Sequence, residues 1–254
     1  VTSNQLKRGA LCTLAVFALG LKSALAQGGP PMITDDPGTP GPGKWEDNIA
    51  IILDHHSGET SLDLPQFDLN YGVGEHIQLT LQTGPVLLKR DDHGPIGGMG
   101  GTETAVKWRF LDEDKSGFDI SMFPRIIFNI QSSSPRRGLS EDGTRFQIPF
   151  EIAKSFGRFH ADAEFGPVGI TAGRSEWLYG IVGGYDVVKT TTFMAEIHGT
   201  SRMNFTRDVL TLNFGIRQTL NERCFFIGSL GHEVHQPDDE PLALIGYFGV
   251  QLLY

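Results

Sequence analysis

A chain of 254 residues with a formal charge of −9 and only two cysteines excludes a disulfide-built small domain, and its acidity argues against nucleic acid as a partner. A hydrophobic content of 39% does not argue against a membrane location, because a transmembrane barrel needs apolar side chains at every second position only.

Residues 1–26 read as a cleaved signal peptide. Lys7 and Arg8 precede the apolar run Leu11 to Leu19, and Ala24-Leu25-Ala26 forms a small-residue cleavage site. The apolar run is shorter than the ~20 residues that a membrane helix needs, and nothing later supplies such a run. Removing the segment takes Lys7, Arg8 and Lys22, leaving 18 bases against 30 acids and a formal charge of −12. Cys12 goes with it, so Cys224 has no intramolecular disulfide partner. Residues 27–43, rich in Gly and Pro and carrying Asp35-Asp36-Pro37, cannot form a regular element. They read as a lead-in, either a solvated tail or a plug whose carboxylates meet Lys107, Arg109 or Arg125.

From residue 44 onward the chain alternates apolar and polar positions, most clearly in Ile77-Gln78-Leu79-Thr80-Leu81-Gln82. This phase predicts about twelve strands, near 44–56, 61–72, 75–86, 99–111, 117–130, 143–155, 157–166, 174–188, 190–201, 205–220, 223–234 and 239–254. Pro124 and Pro149 fall inside two of them and mark bulges or edges. Short connections such as Val188-Lys189-Thr190 and Asn221-Glu222 alternate with longer ones at Lys89 to Gly98, Gln131 to Asp142 and Gln236 to Glu240. The expected fold is therefore all-β: an antiparallel up-and-down transmembrane β-barrel over 44–254, with turns at one rim and outer loops at the other. A soluble sandwich would show the same alternation. The final strand, ending on Tyr254, favours a bacterial outer-membrane barrel, in contact with lipid and read there by the barrel-assembly machinery.

Charges at the lipid-facing midplane cost about 2–4 kcal/mol, so the phase places Glu46, Asp68, Glu103, Lys107, Arg109, Arg125, Glu151, Asp162, Glu164, Glu196 and Arg217 on the lumen side. They either neutralise one another in a narrow lumen or line a selective passage. Trp45, Trp108, Phe110, Trp177, Tyr179, Tyr185 and Tyr254 face outward, as interfacial girdles would.

Catalytic motifs are weak. His232-Glu233-Val234-His235 lacks one residue of the zinc-protease spacing, and a strand would point its histidines apart. His55-His56 has no third ligand in view. Gly97-Gly98-Met99-Gly100-Gly101 lacks the Lys-Ser/Thr of a phosphate loop and reads as flexible loop. Neither Ser201 beside His198 nor Ser175 offers an aligned nucleophile and base. No catalytic residue, metal or cofactor is expected.

The segments Ile33-Thr34-Asp35-Asp36-Pro37-Gly38-Thr39-Pro40-Gly41-Pro42-Gly43-Lys44-Trp45-Glu46, Tyr71 to Leu79, Ala105-Val106-Lys107-Trp108-Arg109-Phe110 and Met122-Phe123-Pro124-Arg125 occur in this order in the first half of the mature chain. Together they resemble the meta-pathway phenol-degradation family of outer-membrane transporters. The resemblance implies a barrel that passes small solutes, including aromatic or hydrophobic ones, and carries over no site residue. The alternatives are a structural or adhesive barrel with a closed lumen and, less well supported, a lipid-modifying enzyme.

Overall fold

A computed structural model describes residues 28–237 and 243–254. The leader read over 1–26, Cys12 with it, and the middle of the 236–240 loop lie outside the described residues. The strands are β1 (Trp45–His56), β2 (Glu59–Val73), β3 (Ile77–Thr83), β4 (Pro85–Arg90), β5 (His93–Met99), β6 (Thr102–Leu111), β7 (Asp119–Met122), β8 (Arg125–Phe128), β9 (Arg145–Gln147), β10 (Phe150–Phe156), β11 (Phe159–Ile170), β12 (Glu176–Val188), β13 (Thr191–Arg202), β14 (Asp208–Asn221), β15 (Cys224–His235) and β16 (Leu244–Leu253). Four consecutive pairs, β3/β4, β5/β6, β7/β8 and β9/β10, are single staves interrupted once, so sixteen segments form a closed antiparallel barrel of twelve staves. β1 and β16 pair over ten residues, from Glu46↔Leu253 to His55↔Leu244, which excludes the sandwich. At the rim shared by both chain ends, the Trp45 and Tyr254 amides each donate to the other residue's carbonyl, at 2.7 and 3.1 Å.

Proline explains two of the interruptions. Pro124 and Pro149 accept hydrogen bonds from Val106 N (3.1 Å) and Phe123 N (3.0 Å), but neither has an N–H to return. Pro167, inside β11, accepts from Ile148 N at 3.1 Å in the same one-sided way.

The outer loops depart from expectation. Lys89 to Gly98 is not a loop: β4 and β5 form a hairpin that turns at Asp91-Asp92, and Gly97, Gly98 and Met99 belong to its second strand. Alternation continues through Val86 and Leu88, but the glycines and Pro95 hide it. Gln131 to Asp142 is an outer connection, as expected, but not a freely solvated one. It folds against the inner face of the β4–β5 hairpin, where Leu139 packs on Val86, Leu88 and Ile96. Ser134 Oγ and Arg137 Nη2 donate to Met99 O and Gly97 O, both at 2.7 Å. This satisfies carbonyls of a strand edge that no other strand covers.

The surface is inverted relative to a soluble protein. Leu79, Leu81, Val106, Ile126, Ile152, Ile181, Ile197, Phe214, Leu230 and Phe248 are all exposed on the outer face. A continuous apolar belt of this kind matches lipid and not water. Aromatic pairs flank it at both rims. Trp45–Tyr71 (centroids 4.8 Å apart) and Phe159–Tyr185 (4.6 Å) lie toward the turns, and Phe165–Trp177 (4.8 Å) toward the loops. Ile181 sits midway along β12 and is 66% exposed. Replacing it with arginine is expected to cost about 2–4 kcal/mol in urea unfolding of the vesicle-inserted barrel. An unchanged unfolding midpoint would contradict a lipid-facing position.

Candidate functional site in the barrel lumen

Residues 28–43 lie inside the barrel, in a looped path closed by Gly29 N to Thr34 O and Met32 N to Gly29 O, both 2.8 Å. Met32 is buried against Val182 and Met194 of the wall. The wall makes room by omitting side chains. A β-carbon added at Gly180 would overlap Thr34 Oγ1 and stand 3.0 Å from Thr34 Cβ, one at Gly215 would overlap Met32 Cε, and one at Gly72 would overlap the Gly41 carbonyl. Glycine inside a strand marks such close approach.

Glu196 on β13 holds the loop by its backbone. Its carboxylate accepts from Ile33 N (3.0 Å), Thr34 N (2.5 Å) and Asn213 Nδ2 (3.0 Å). Hydrogen bonds to a charged acceptor contribute about 1.5–3 kcal/mol each. Ser229 Oγ adds a bond to Pro31 O at 2.8 Å.

The next residues meet an ionic cluster. Lys107 Nζ lies 2.9 Å from Asp35 Oδ1 and 3.6 Å from Glu151 Oε2, and also donates to the Asp36 carbonyl. Arg125 Nη2 lies 3.5 Å from Asp35, 3.8 Å from Glu151 and 3.4 Å from Glu164. Phe123, 2% exposed, presents its ring to both cations, at 4.5 Å from Lys107 Nζ and 4.4 Å from the Arg125 guanidinium carbon. Ser121 Oγ donates to Glu151 Oε2 at 2.5 Å, and His198 lies 3.7 Å from Glu164. Charges buried this deeply persist only with partners of opposite sign, and Asp35 is the partner that the N-terminal segment contributes.

The sequence-derived set therefore divides. Lys107, Arg125, Glu151 and Glu164 converge on Asp35, and Glu196 holds the preceding residues. Asp162 is buried on β11, in register with Ala153 and Val182. Arg109 stays out of the cluster. It sits at the turn rim, 3.2 Å from Asp112 and donating to Glu75 O at 3.0 Å. A hydrogen bond from Lys115, with Arg109 and His76 nearby, holds the Asp112 carboxyl below its ordinary value. Glu46, Asp68, Glu103 and Arg217 border the lumen beyond that cluster, Glu103 on the same strand as Lys107. There a cavity of about 670 Å³ lies between the N-terminal segment and the wall.

That side carries a hydrogen-bonded amide network. Asp68 accepts from Asn48 Nδ2 (3.0 Å) and Asn70 Nδ2 (3.1 Å), while Gln78 Nε2 (2.8 Å) and Thr80 Oγ1 (2.6 Å) donate to Asn70 Oδ1. Gln251 Nε2 donates to Glu46 Oε1 at 2.9 Å. The Arg217 guanidinium lies 4.3 Å from the Phe225 ring and within electrostatic reach of Glu46 and Asp36.

Phe123, Ser121, Asn213 and the wall glycines escaped the sequence reading. Only the glycines left a signal, as strand-interior positions on the inward phase. Tyr254 adds a contact on the outer side, its hydroxyl donating to Asp47 Oδ2 at 2.5 Å.

No family model matches the sequence, and no curated protein matches it. Solved structures overlay most of it, among them the following two. The KdgM porin in complex with disordered oligogalacturonate gives a TM-score of 0.54 at 12% identity, covering 81% of this chain and 98% of that one. The translocator domain of the autotransporter NalP from Neisseria meningitidis gives 0.52 at 11%, covering 84% and 88%. At such identities the likeness is one of fold.

Proposed function

We propose that this chain is a bacterial outer-membrane channel for small solutes, exported by a leader over residues 1–26, with residues 27–43 as a plug and 44–254 as the barrel. The observation that carries the reading is a polar, hydrogen-bonding lumen inside an apolar belt, with a cavity of about 670 Å³ beside the docked segment. Passage by diffusion needs a wet, polar lumen, and it needs neither a cofactor nor a nucleophile. The reading is accordingly of a non-enzymatic protein. The resemblance to phenol-degradation transporters supports a transport role. The lining at Asp68, Asn70, Gln78, Thr80, Gln82 and Glu103 favours polar solutes over the hydrophobic ones which that resemblance implies. The outer face contacts outer-membrane lipid, and the C-terminal strand ending in Tyr254 is the element that assembly machinery would engage.

A closed structural barrel is the second reading, favoured by the inward fold of residues 131–142 over β4 and β5. Liposome swelling separates the two. The full-length barrel is expected to admit small polar solutes slowly, and the same barrel without residues 28–43 to admit them markedly faster. Absence of swelling with every solute in both proteins would overturn the channel reading.

A further inference from the structure

We propose that the side of the lumen left open by the N-terminal segment binds a small organic cation, recognising an ammonium group on a polar solute. The inference rests on the channel reading only in taking this cavity as part of the passage. Strand register aligns five inward side chains across neighbouring staves: Gln251, Asn48, Asp68, Gln82 and Glu103. Among the described residues, no basic side chain lies within 4.0 Å of Asp68 or Glu103. Asp68 is held instead by two neutral amides.

The amides are oriented by those bonds. Asn48 gives its Nδ2 to Asp68, and Gln251 its Nε2 to Glu46, which leaves Asn48 Oδ1 and Gln251 Oε1 buried without a donor among the described residues. Turning either amide over would forfeit its bond to the carboxylate. Asn48 and Gln251 are 1% and 3% exposed, and Gln251 borders the cavity. A buried acceptor without a donor costs about 1–3 kcal/mol, so the wall carries surplus acceptors beside two carboxylates, Asp68 and Glu103, that have no ion pair within 4.0 Å among the described residues. Of the basic groups nearby, Lys107 and Arg125 pair with Asp35, Glu151 and Glu164, while Arg217, whose Nε and Nη2 have no hydrogen-bond partner among the described residues, is drawn electrostatically to Glu46 and Asp36.

The complement to this wall is a group with several donors, no acceptor and positive charge, which describes an ammonium. A metal ion fits less well. The acceptors are strung along a row, and no cluster of three or more His, Cys, Asp or Glu among the described residues gathers on one point. A cavity of about 670 Å³ takes an extended solute, not a bare ion.

The test uses spermidine as the probe. Calorimetry on the full-length folded barrel in detergent should show spermidine binding, with the neutral polyol sorbitol not binding. Planar-bilayer currents should favour K⁺ over Cl⁻ and be blocked by spermidine. Asp68→Asn and Glu103→Gln should each weaken binding about tenfold. The Glu103 side chain makes no hydrogen bond among the described residues, so E103Q keeps the test valid if D68N misfolds. Equal spermidine affinity in wild type and E103Q, or preference for sorbitol, would overturn the site. Current without spermidine binding or block overturns the site and leaves the channel standing. Spermidine binding without any current does the reverse.

Discussion

Gly180→Val is expected to expel residues 28–43 from the lumen and raise single-channel conductance severalfold, whereas Gly183→Val, three residues along β12, leaves both unchanged. The Gly180 α-carbon faces inward, and an added β-carbon would overlap Thr34, a residue with no exposed surface whose N–H is already fixed by Glu196 at 2.5 Å. Gly183 faces outward, with nothing within 4 Å of its would-be β-carbon. Overpacking of a fitted contact costs about 1–3 kcal/mol, and here the docked segment can leave without unfolding the staves. The measurements are conductance and protease cleavage within residues 28–43. Equal behaviour of the two variants would contradict a close fit between segment and wall.

Asp35→Ala should release the same segment by a different route. The substitution removes the carboxylate that lies 2.9 Å from Lys107 and 3.5 Å from Arg125. Truncating one partner of a buried, hydrogen-bonded charge pair costs about 2–5 kcal/mol, much of it from the charge left behind. Glu151 remains beside both cations and Glu164 beside Arg125, so the barrel itself should keep its heat-resistant gel migration. Hydrogen exchange is the readout, with amides of residues 29–38 losing protection in the variant. Thr34 and Ile33 are the sensitive reporters, because Glu196 holds their N–H groups in the wild type. Asp36→Ala should do less, since the Asp36 side chain receives its bond from Gly38 within the segment itself, at 2.5 Å. Unchanged protection in Asp35→Ala would mean that the ionic cluster is spectator to docking.

The staves were legible because a barrel between lipid and a wet lumen imposes a period of two, and runs such as Ile77 to Gln82 keep it without interruption. Two stretches broke that rule for local reasons. In the β4–β5 hairpin, glycine and Pro95 replace the polar half of the pattern, so a strand looked like a loop. In 131–142, Leu139 is the sole large aliphatic side chain, and its partners Val86 and Leu88 lie about fifty positions away in the sequence. The inward charges followed from phase, but their division into a cluster around Asp35 and an open acidic wall did not. Which carboxylate meets which base depends on the path of residues 28–43, and that path is set by contacts such as Glu196 with Thr34, 162 residues apart. Sequence periodicity has no reach over such distances. Gly180, Gly215 and Gly72 did carry the information in a weak form, because a strand gains nothing from an inward glycine unless something approaches it.

The N-terminal segment sits against β12, and on the channel reading it obstructs the lumen there. A disulfide between Thr34→Cys and Gly180→Cys, in a Cys224→Ser background, tests both halves. The two β-carbons stand 3.0 Å apart, so a shift of about half an ångström brings them into disulfide range. The bond should form on oxidation, the oxidised barrel should conduct poorly, and reduction in the bilayer should raise its conductance. Failure of the bond to form in the folded barrel, or equal conductance before and after reduction, would contradict this reading.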